Sequence, residues 1–377
     1  MKLNTLPRRL QPPSVAVLGL LALTLLASAG TAHAAQTLSI GDLHSSYNRN
    51  ILYMSIAVIV MAILIFIGVS YALFYTVNKF REDKHSAAPD QFHGNNRLET
   101  VLIVVPVIIV TVITILAAHT MAIVNPTPPG ALHVNATGAQ FWWAFDYPDA
   151  KLSGAAGTVV NGNELVIPTG RQVAITVTAK DVIHAFWAPN LGGQRDAIPG
   201  SLKTFQIDTD QPGSYQGNCS VLCGASHANM RFKVVALPPA QYAAFIAGAA
   251  AYKAPAPSTP STQNGYSIFM QGEDKASAAV PACASCHRIQ GTPAAGAVGP
   301  DLSYFGSRDT LGAGIWEGKE REAHIEPWIK HCAAVKPGCL MPAYTDLSDA
   351  DLADLKAYLL SLKLPDTAAY WGKVPVR

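Results

Sequence analysis

The segment Cys219-Ser220-Val221-Leu222-Cys223-Gly224-Ala225-Ser226-His227-Ala228-Asn229-Met230 sets two thiols, an imidazole and a thioether within one short stretch. An isolated His184 precedes Cys219 by 35 residues. Thiolates, imidazoles and a thioether are soft-to-borderline ligands, a set that suits copper rather than magnesium or calcium. A tetrahedral zinc site would take four of the five and leave Met230 idle. If both thiolates bridge, the set holds two coppers with one imidazole on each. One unpaired electron shared over such a pair changes oxidation state with little movement of the ligands. For the two cysteines alone a structural disulfide is the alternative in an oxidising compartment. The full five-residue constellation argues for metal.

Around these residues the chain reads as short strands. Thr158–Val160, Glu164–Ile167, Gln172–Thr178, Thr204–Ile207 and Arg231–Val235 are rich in β-branched and aromatic residues and are separated by Gly, Pro, Asn and Asp. Strands this short, with frequent turn signals, suggest an all-β sandwich or barrel. The breaker cluster Asn125-Pro126-Thr127-Pro128-Pro129-Gly130 opens this region.

What precedes it is apolar. Half of the 377 residues are hydrophobic and only 14% are charged, which argues against a cytosolic enzyme and against disorder. The net charge is +2, with no long basic cluster, so no nucleic-acid partner is expected. Lys2, Arg8 and Arg9, the apolar run Val15 to Ala27 and the small-residue site Ala32-His33-Ala34 read as a signal peptide cleaved near Ala35. An uncleaved membrane helix is the alternative. Ile51 to Val77 carries no charge, and Val101 to Val124 carries only His119 as an ionisable group. Both exceed the roughly 20 residues that cross a bilayer. Lys79, Arg81, Lys84 and Arg97 place the connecting loop in the cytoplasm by the positive-inside rule. Both ends of the mature chain then lie outside. His119 reads as interfacial or packed on a neighbouring subunit.

Beyond the strands, Ala254 to Gln263 is rich in Ala, Pro, Ser and Thr and reads as a linker. Cys283-Ala284-Ser285-Cys286-His287 then gives the c-type haem attachment pattern. The two thiols add across the porphyrin vinyl groups, and the following imidazole ligates the iron. A redox pair or half of a zinc site is the alternative, but only the distant Cys332 and Cys339 are available to complete a zinc set. A thioether as the opposite iron ligand raises the reduction potential. Met341, 54 residues after His287, is the favoured candidate, with Met270, His324 and His331 as competitors. Cys332 and Cys339 read as a small disulfide, or else as free thiols. Leu352, Leu355, Leu359 and Leu362 recur at helical spacing after the N-cap candidate Ser348.

The hairpin, the arrangement of His184, Cys219, Cys223, His227 and Met230, and the Cys283-x-x-Cys286-His287 motif together resemble subunit II of a haem–copper cytochrome c oxidase. More narrowly, they resemble the type with a fused C-terminal cytochrome c. Asp181-Val182-Ile183-His184-Ala185-Phe186-Trp187, Asp196-Ala197-Ile198-Pro199-Gly200 and Gly299-Pro300-Asp301-Leu302 support the likeness, which covers nearly the whole mature chain. The resemblance implies a multidomain membrane protein. After a signal peptide over 1–34, a two-helix transmembrane hairpin spans 35–125, with helices at about 51–77 and 101–124. An all-β cupredoxin domain, a Greek-key sandwich or barrel, spans 126–250, and a linker covers 251–264. An all-α class I cytochrome c spans 265–377. It implies a dinuclear copper A centre bridged by Cys219 and Cys223, with nitrogens from His184 and His227, weak axial Met230, and the backbone carbonyl of Val221. It implies one covalent haem c on Cys283, Cys286, His287 and Met341.

Two departures stand out. The family usually places Glu where this chain has Val221, and that side chain helps bind a magnesium at the contact with subunit I. A carbonyl ligand survives the change, whereas the magnesium ligand does not. The family's electron-receiving Trp aligns with Phe141, leaving Trp142 and Trp143 as further relay candidates. Glu99 resembles the family's Glu at the cytoplasmic mouth of a proton path, and it also sits where, with Asn96, it would complete a helix N-cap. Residues 126–250 carry seven basic and seven acidic groups, so no strongly acidic face is expected to recruit a basic soluble cytochrome. A haem tethered by the linker would replace diffusional docking, and the external donor would dock on 265–377, with its eleven basic and thirteen acidic residues. The expected role is electron input to an oxidase. Electrons would pass from an external cytochrome through haem c and the copper pair to subunit I, with subunit III and membrane lipids as further partners. A nitric-oxide reductase subunit and an exported copper-handling haem protein are the alternatives.

Overall fold

The computed structural model describes residues 43–84, 94–272 and 282–366, together with 370 and 375. The signal peptide and its cleavage site, and the centre of the loop between the membrane helices, lie outside these residues.

Two long apolar helices come first, α1 (Ser46–Lys79) and α2 (Asn96–Val124), and their apolar side chains are exposed along most of their length. Membrane anchorage explains that exposure, since lipid is the solvent these faces match. Each helix starts five residues before its apolar run. At 1.5 Å per residue, α1 extends about 51 Å, well beyond the ~30 Å hydrocarbon core. Its surplus turn reaches the β domain. Ser45 and Ser46 each donate a hydroxyl to Asp208 at 2.5 Å, and Asn48 donates to the Pro189 carbonyl at 2.5 Å. Ser45 caps the helix by accepting the Tyr47 N–H. In α2 the cap is Asn95 rather than the expected Asn96. Its side chain accepts from the N–H groups of Arg97 and Leu98, and Glu99 reaches back to the Asn95 N–H at 3.3 Å. Pro106 lies within α2 without ending it.

The β domain is a sandwich of two five-stranded sheets. One sheet has the order β3 (Thr158–Gly162), β2 (Trp142–Lys151), β1 (Leu132–Ala139), β5 (Val173–Ala179), β8 (Lys203–Ile207). The other has β4 (Glu164–Pro168), β10 (Arg231–Leu237), β9 (Gly213–Cys219), β6 (His184–Trp187), β7 (Arg195–Ala197). Pairing is antiparallel except for β1 with β5 and β4 with β10. Alternation along β2 sends Trp143, Phe145 and Tyr147 into the space between the sheets. There Trp143 and Phe145 meet Phe186 and Phe232, whose ring centroids are 4.4 Å apart. These aromatic faces fix the sheet spacing and hold the ends of β6 and β9 in register, with Phe186 opposite Cys219.

A short helix, α3 (Pro239–Ala250), closes one side of the sandwich. The chain then enters α4 (Pro260–Gln271), and the remaining helices are α5 (Gly318–His331) and α6 (Asp349–Ser361), the last capped by Ser348 as expected. A two-stranded ribbon, β11 (Thr310–Leu311) with β12 (Trp316–Glu317), precedes α5. α4 and α6 cross at Gly265, where a β-carbon would lie 2.2 Å from the Asp354 carbonyl, so only glycine permits the approach.

The expected linker is therefore shorter and more tied down than its composition suggests. Thr259 and Thr262 form a capping box that starts α4 at Pro260, inside the segment read as linker. Upstream of it Tyr252 is buried, and Gln290 donates to its carbonyl at 2.7 Å. The C-terminal region is not a tethered body but a docked one. Glu164, fully buried in the β domain, accepts from the N–H groups of Asp309 and Thr310, the Thr310 hydroxyl and the Tyr370 hydroxyl, at 2.7–2.9 Å. Tyr304 donates to the Val160 carbonyl at 2.8 Å, and buried Lys233 pairs with Glu317 at 2.9 Å. Phe245 of α3 packs edge-on to both Tyr304 and Tyr370.

Candidate functional site

Cys219 at the end of β9 and three side chains of the loop between β9 and β10, Cys223, His227 and Met230, come together, and His184 at the start of β6 meets them from the neighbouring strand. The Cys219 and Cys223 sulfurs are 3.8 Å apart and unbonded. The Nδ1 of His184 stands 4.0 Å from the Cys219 sulfur, and the Nδ1 of His227 stands 3.7 Å from the Cys223 sulfur. The Val221 carbonyl lies 3.3 Å from the Cys219 sulfur, and the Met230 sulfur 3.8 Å from the Cys223 sulfur. All six residues come together. With metal–sulfur bonds of ~2.3 Å, a 3.8 Å sulfur separation corresponds to a sulfur–metal–sulfur angle of about 110°. The donors thus fit soft metal held between the sulfurs. The imidazoles stand beside different thiols, which distributes the ligands into two halves.

Hydrogen bonding fixes these donors. A carboxylate only accepts, so the 2.8 Å contact of His184 Nε2 with Asp181 puts the proton on Nε2 and leaves Nδ1 free to ligate. Asp181 also accepts from the N–H groups of Gln140 and Val182, each at 2.7 Å. Burial alone would raise this carboxyl, but those bonds hold it below its usual range. Burial likewise opposes ionisation of Cys219. The neighbouring His184 and the surrounding backbone outweigh burial and lower the thiol to about 6. Burial and the neighbouring Cys219 charge push Cys223 up to about 12.

Cys283, Cys286 and His287 line a cavity of about 500 Å³, and Met341 lines it too. Its competitors do not: Met270 packs into the helical core, and His324 stacks on Trp316 at 4.4 Å. His331 is an exposed residue at the end of α5. His287 Nδ1 contacts the Pro300 carbonyl at 2.7 Å, so Nδ1 carries the proton and Nε2 is the free donor. Burial lowers this imidazole and keeps it neutral. A β-carbon at Gly299 would lie 2.5 Å from the ring, so glycine there lets the backbone hold the imidazole. Arg308 is buried on the cavity wall, with Nε and one terminal nitrogen lacking a partner. An unsatisfied buried guanidinium suits a carboxylate such as a haem propionate. Thiol pair, neutral imidazole, thioether and arginine therefore fit haem c. Cys332 and Cys339 form a disulfide beside this wall.

Part of the cavity wall belongs to the β domain. Gln140, Phe141, Trp142 and Lys180 line it from that side. Gln140 also donates to the Cys223 carbonyl at 2.5 Å, so one residue touches both sites. Trp143 is a core residue whose ring meets that of His184 at 6.1 Å. Lys336 sits at the same boundary, donating to the carbonyls of Phe141 at 2.6 Å and Gly312 at 2.9 Å. Burial pulls its amine down to about 7. Sequence reasoning did not single out Gln140, Arg308 or Lys336, nor a role for Asp181. Only Asp181, three residues before His184, carried a local signal.

Comparison with known proteins agrees with this architecture. Residues 34–119 match the transmembrane domain of cytochrome c oxidase subunit II, 132–237 match its periplasmic domain, and 262–363 match cytochrome c. Cytochrome c oxidase subunit 2 of Alkalihalophilus pseudofirmus is 34% identical over 82% of this chain and 86% of that protein. The subunit 2 of Bacillus sp. strain PS3 is 30% identical over 75% and 79%. Among solved structures, the periplasmic domain of cytochrome oxidase subunit II from Bradyrhizobium japonicum is 31% identical, covering 33% of this chain and 96% of that one, with a TM-score of 0.30. With its two membrane helices, cupredoxin-like sandwich and C-terminal cytochrome domain, the chain belongs to the cytochrome c oxidase subunit II family.

Proposed function

We propose that this chain is the electron-input subunit of its oxidase. In this reading Cys283 and Cys286 would anchor a covalent haem c, and His287 and Met341 would hold its iron. Cys219, Cys223, His184, His227, Met230 and the Val221 carbonyl hold a dinuclear copper A centre. Bound there, the two groups supply reversible one-electron chemistry. An external cytochrome delivers an electron to the C-terminal domain, and the electron leaves through the copper site to the oxygen-reducing subunit I. The observation that carries this is the shared wall, since Gln140 lines the haem cavity and hydrogen-bonds Cys223. Phe141 and Trp142 flank the crossing, and Trp143 backs His184. Between the two thiols Leu222 is 79% exposed, and Val182 and Ile183 beside His184 are exposed as well. An apolar face of this kind at the metal loop suits contact with a membrane subunit. Glu99, at the cytoplasmic start of α2, is proposed as the mouth of a proton path into subunit I.

Low-temperature EPR with metal analysis on the full chain tests the reading. About two coppers per chain with one electron spread over both is the expected result. A single-copper signal, or zinc in place of copper, would remove the dinuclear centre and with it the route.

A further inference from the structure

The loop closed by the Cys332–Cys339 disulfide touches the metal-site loop through Pro337, and although Ala334, Val335, Pro337 and Gly338 are exposed, Lys336 between them is buried. Lys336, at 4% exposure, spends its amine on two backbone carbonyls, of which Phe141 belongs to the β domain. Ser226, one residue before His227, donates to the Pro337 carbonyl at 2.6 Å. The Phe141 ring lies between two glycines in left-handed conformations. A β-carbon on either Gly224 (φ +136°) or Gly338 (φ +81°) would come within 3.1 Å of it. The loop thus touches the metal loop at Ser226 and the β1–β2 turn at Phe141, whose ring in turn abuts Gly224 of the metal loop, and it continues within a few residues to Met341.

Burying an amine is costly unless its hydrogens are used. A solvated lysine would serve stability equally well at an ordinary turn. We propose that Lys336 and Ser226 form a clamp that holds the Met341 loop against the Cys223 loop, and that this clamp sets the rate of electron transfer between the two cofactor sites. Lys336 is a positioning residue, since it touches Phe141 and neither reacting atom. The proposal rests on the electron-input reading above. The step is one electron leaving reduced haem iron and arriving at oxidised copper, with no bond made or broken.

The test uses the assembled, cofactor-loaded complex, a photoreductant to reduce the haem, and amide hydrogen exchange on the same preparations. In Lys336→Met, exchange over 223–227 and 335–341 should rise about tenfold or more, the effect of losing a buried hydrogen bond and stranding its acceptors. Exchange around Glu164 should not change. Transfer from haem to copper, compared at matched driving force from potentials measured in each variant, should be slower than in the parent by twofold or more. It should also become viscosity-dependent, because loop motion would now gate it. Ser226→Ala should move both readouts the same way by less, and it carries the test if Lys336→Met does not assemble. Transfer that is as fast and as viscosity-independent in the variants as in the parent overturns the proposal, whatever exchange does. Absence of any haem-to-copper transfer in the parent overturns the electron-input reading and the clamp with it.

Discussion

The thiol cluster and the haem cavity are built in opposite ways. Every donor of the thiol cluster comes from one domain, and five of the six lie within the twelve-residue stretch from Cys219 at the end of β9 to Met230 just before β10. The cavity's proposed ligands instead come from segments more than fifty residues apart, and it borrows a wall from the β domain. The first is a local object whose geometry should survive separation from its surroundings. The second is complete only when two domains are docked. This predicts that damage to the cluster stays at the cluster, whereas damage to the docking surface reaches the cavity.

The largest effect tests the local side. Cys219→Ser should abolish the delocalised copper signal and oxidase turnover, because a serine hydroxyl is a poor bridge between soft metals. Haem attachment at Cys283 and Cys286 should be unaffected in the same sample, by absorbance of the reduced protein. Persistence of two coppers sharing one electron would contradict the bridging role.

Next comes the docking surface. Glu164→Ala strands four donors, three on the segment before α5 and one on Tyr370. Interdomain stability should fall by about 3 kcal/mol or more. Calorimetry should show the cytochrome domain melting separately and earlier, with the copper signal intact at lower temperatures. A single unchanged transition would mean that the docking does not depend on this carboxylate.

A smaller change sharpens the local side. Asp181→Ala removes the acceptor that holds His184 Nε2–H, while both thiols remain. Copper affinity should drop about 10–100-fold, the usual cost of losing an orienting partner behind a ligating histidine. A competition titration against a chelator reads it. Unaltered affinity would show that β6 alone orients the ring.

The same contrast explains what was legible in the residues. Cys219, Cys223, His227 and Met230 are close along the chain, so their spacing announces a ligand set, and His184 is reached through one strand pairing. Strand and helix periodicity likewise reflect local burial, hence the sandwich and the α6 pattern. Docking leaves no such trace. Glu164 meets Thr310 across 146 residues, and Lys336 meets the Phe141 carbonyl across 195. Within Ala334-Val335-Lys336-Pro337-Gly338, a lysine reads as a solvated turn charge, and only the fold shows it covered. The Ala- and Pro-rich composition after 250 signals a weak core, which is correct for the segment alone. It does not reveal that Gln290 and the Tyr252 ring tie the segment down. Phe141, which the sequence resemblance sets where a Trp was expected, makes sense in the same terms. With a haem domain already seated, this ring is 5% exposed and serves as packing between two loops.

The smallest effect probes that packing directly. Gly338 adopts φ +81°, a conformation that costs an L-residue about 1 kcal/mol, and a β-carbon there would sit 3.1 Å from the Phe141 ring. Gly338→Ala should therefore destabilise the docked loop by about 1–2 kcal/mol in total. The Cys332–Cys339 bond limits how far the loop can retreat, so the ring and not the loop must give way. Faster exchange confined to 335–341, with the thiol cluster's copper spectrum unchanged, is the expected outcome. If the copper spectrum shifts as well, the two sites share more of their structure than one wall, and the division into a local and a borrowed site fails at Phe141.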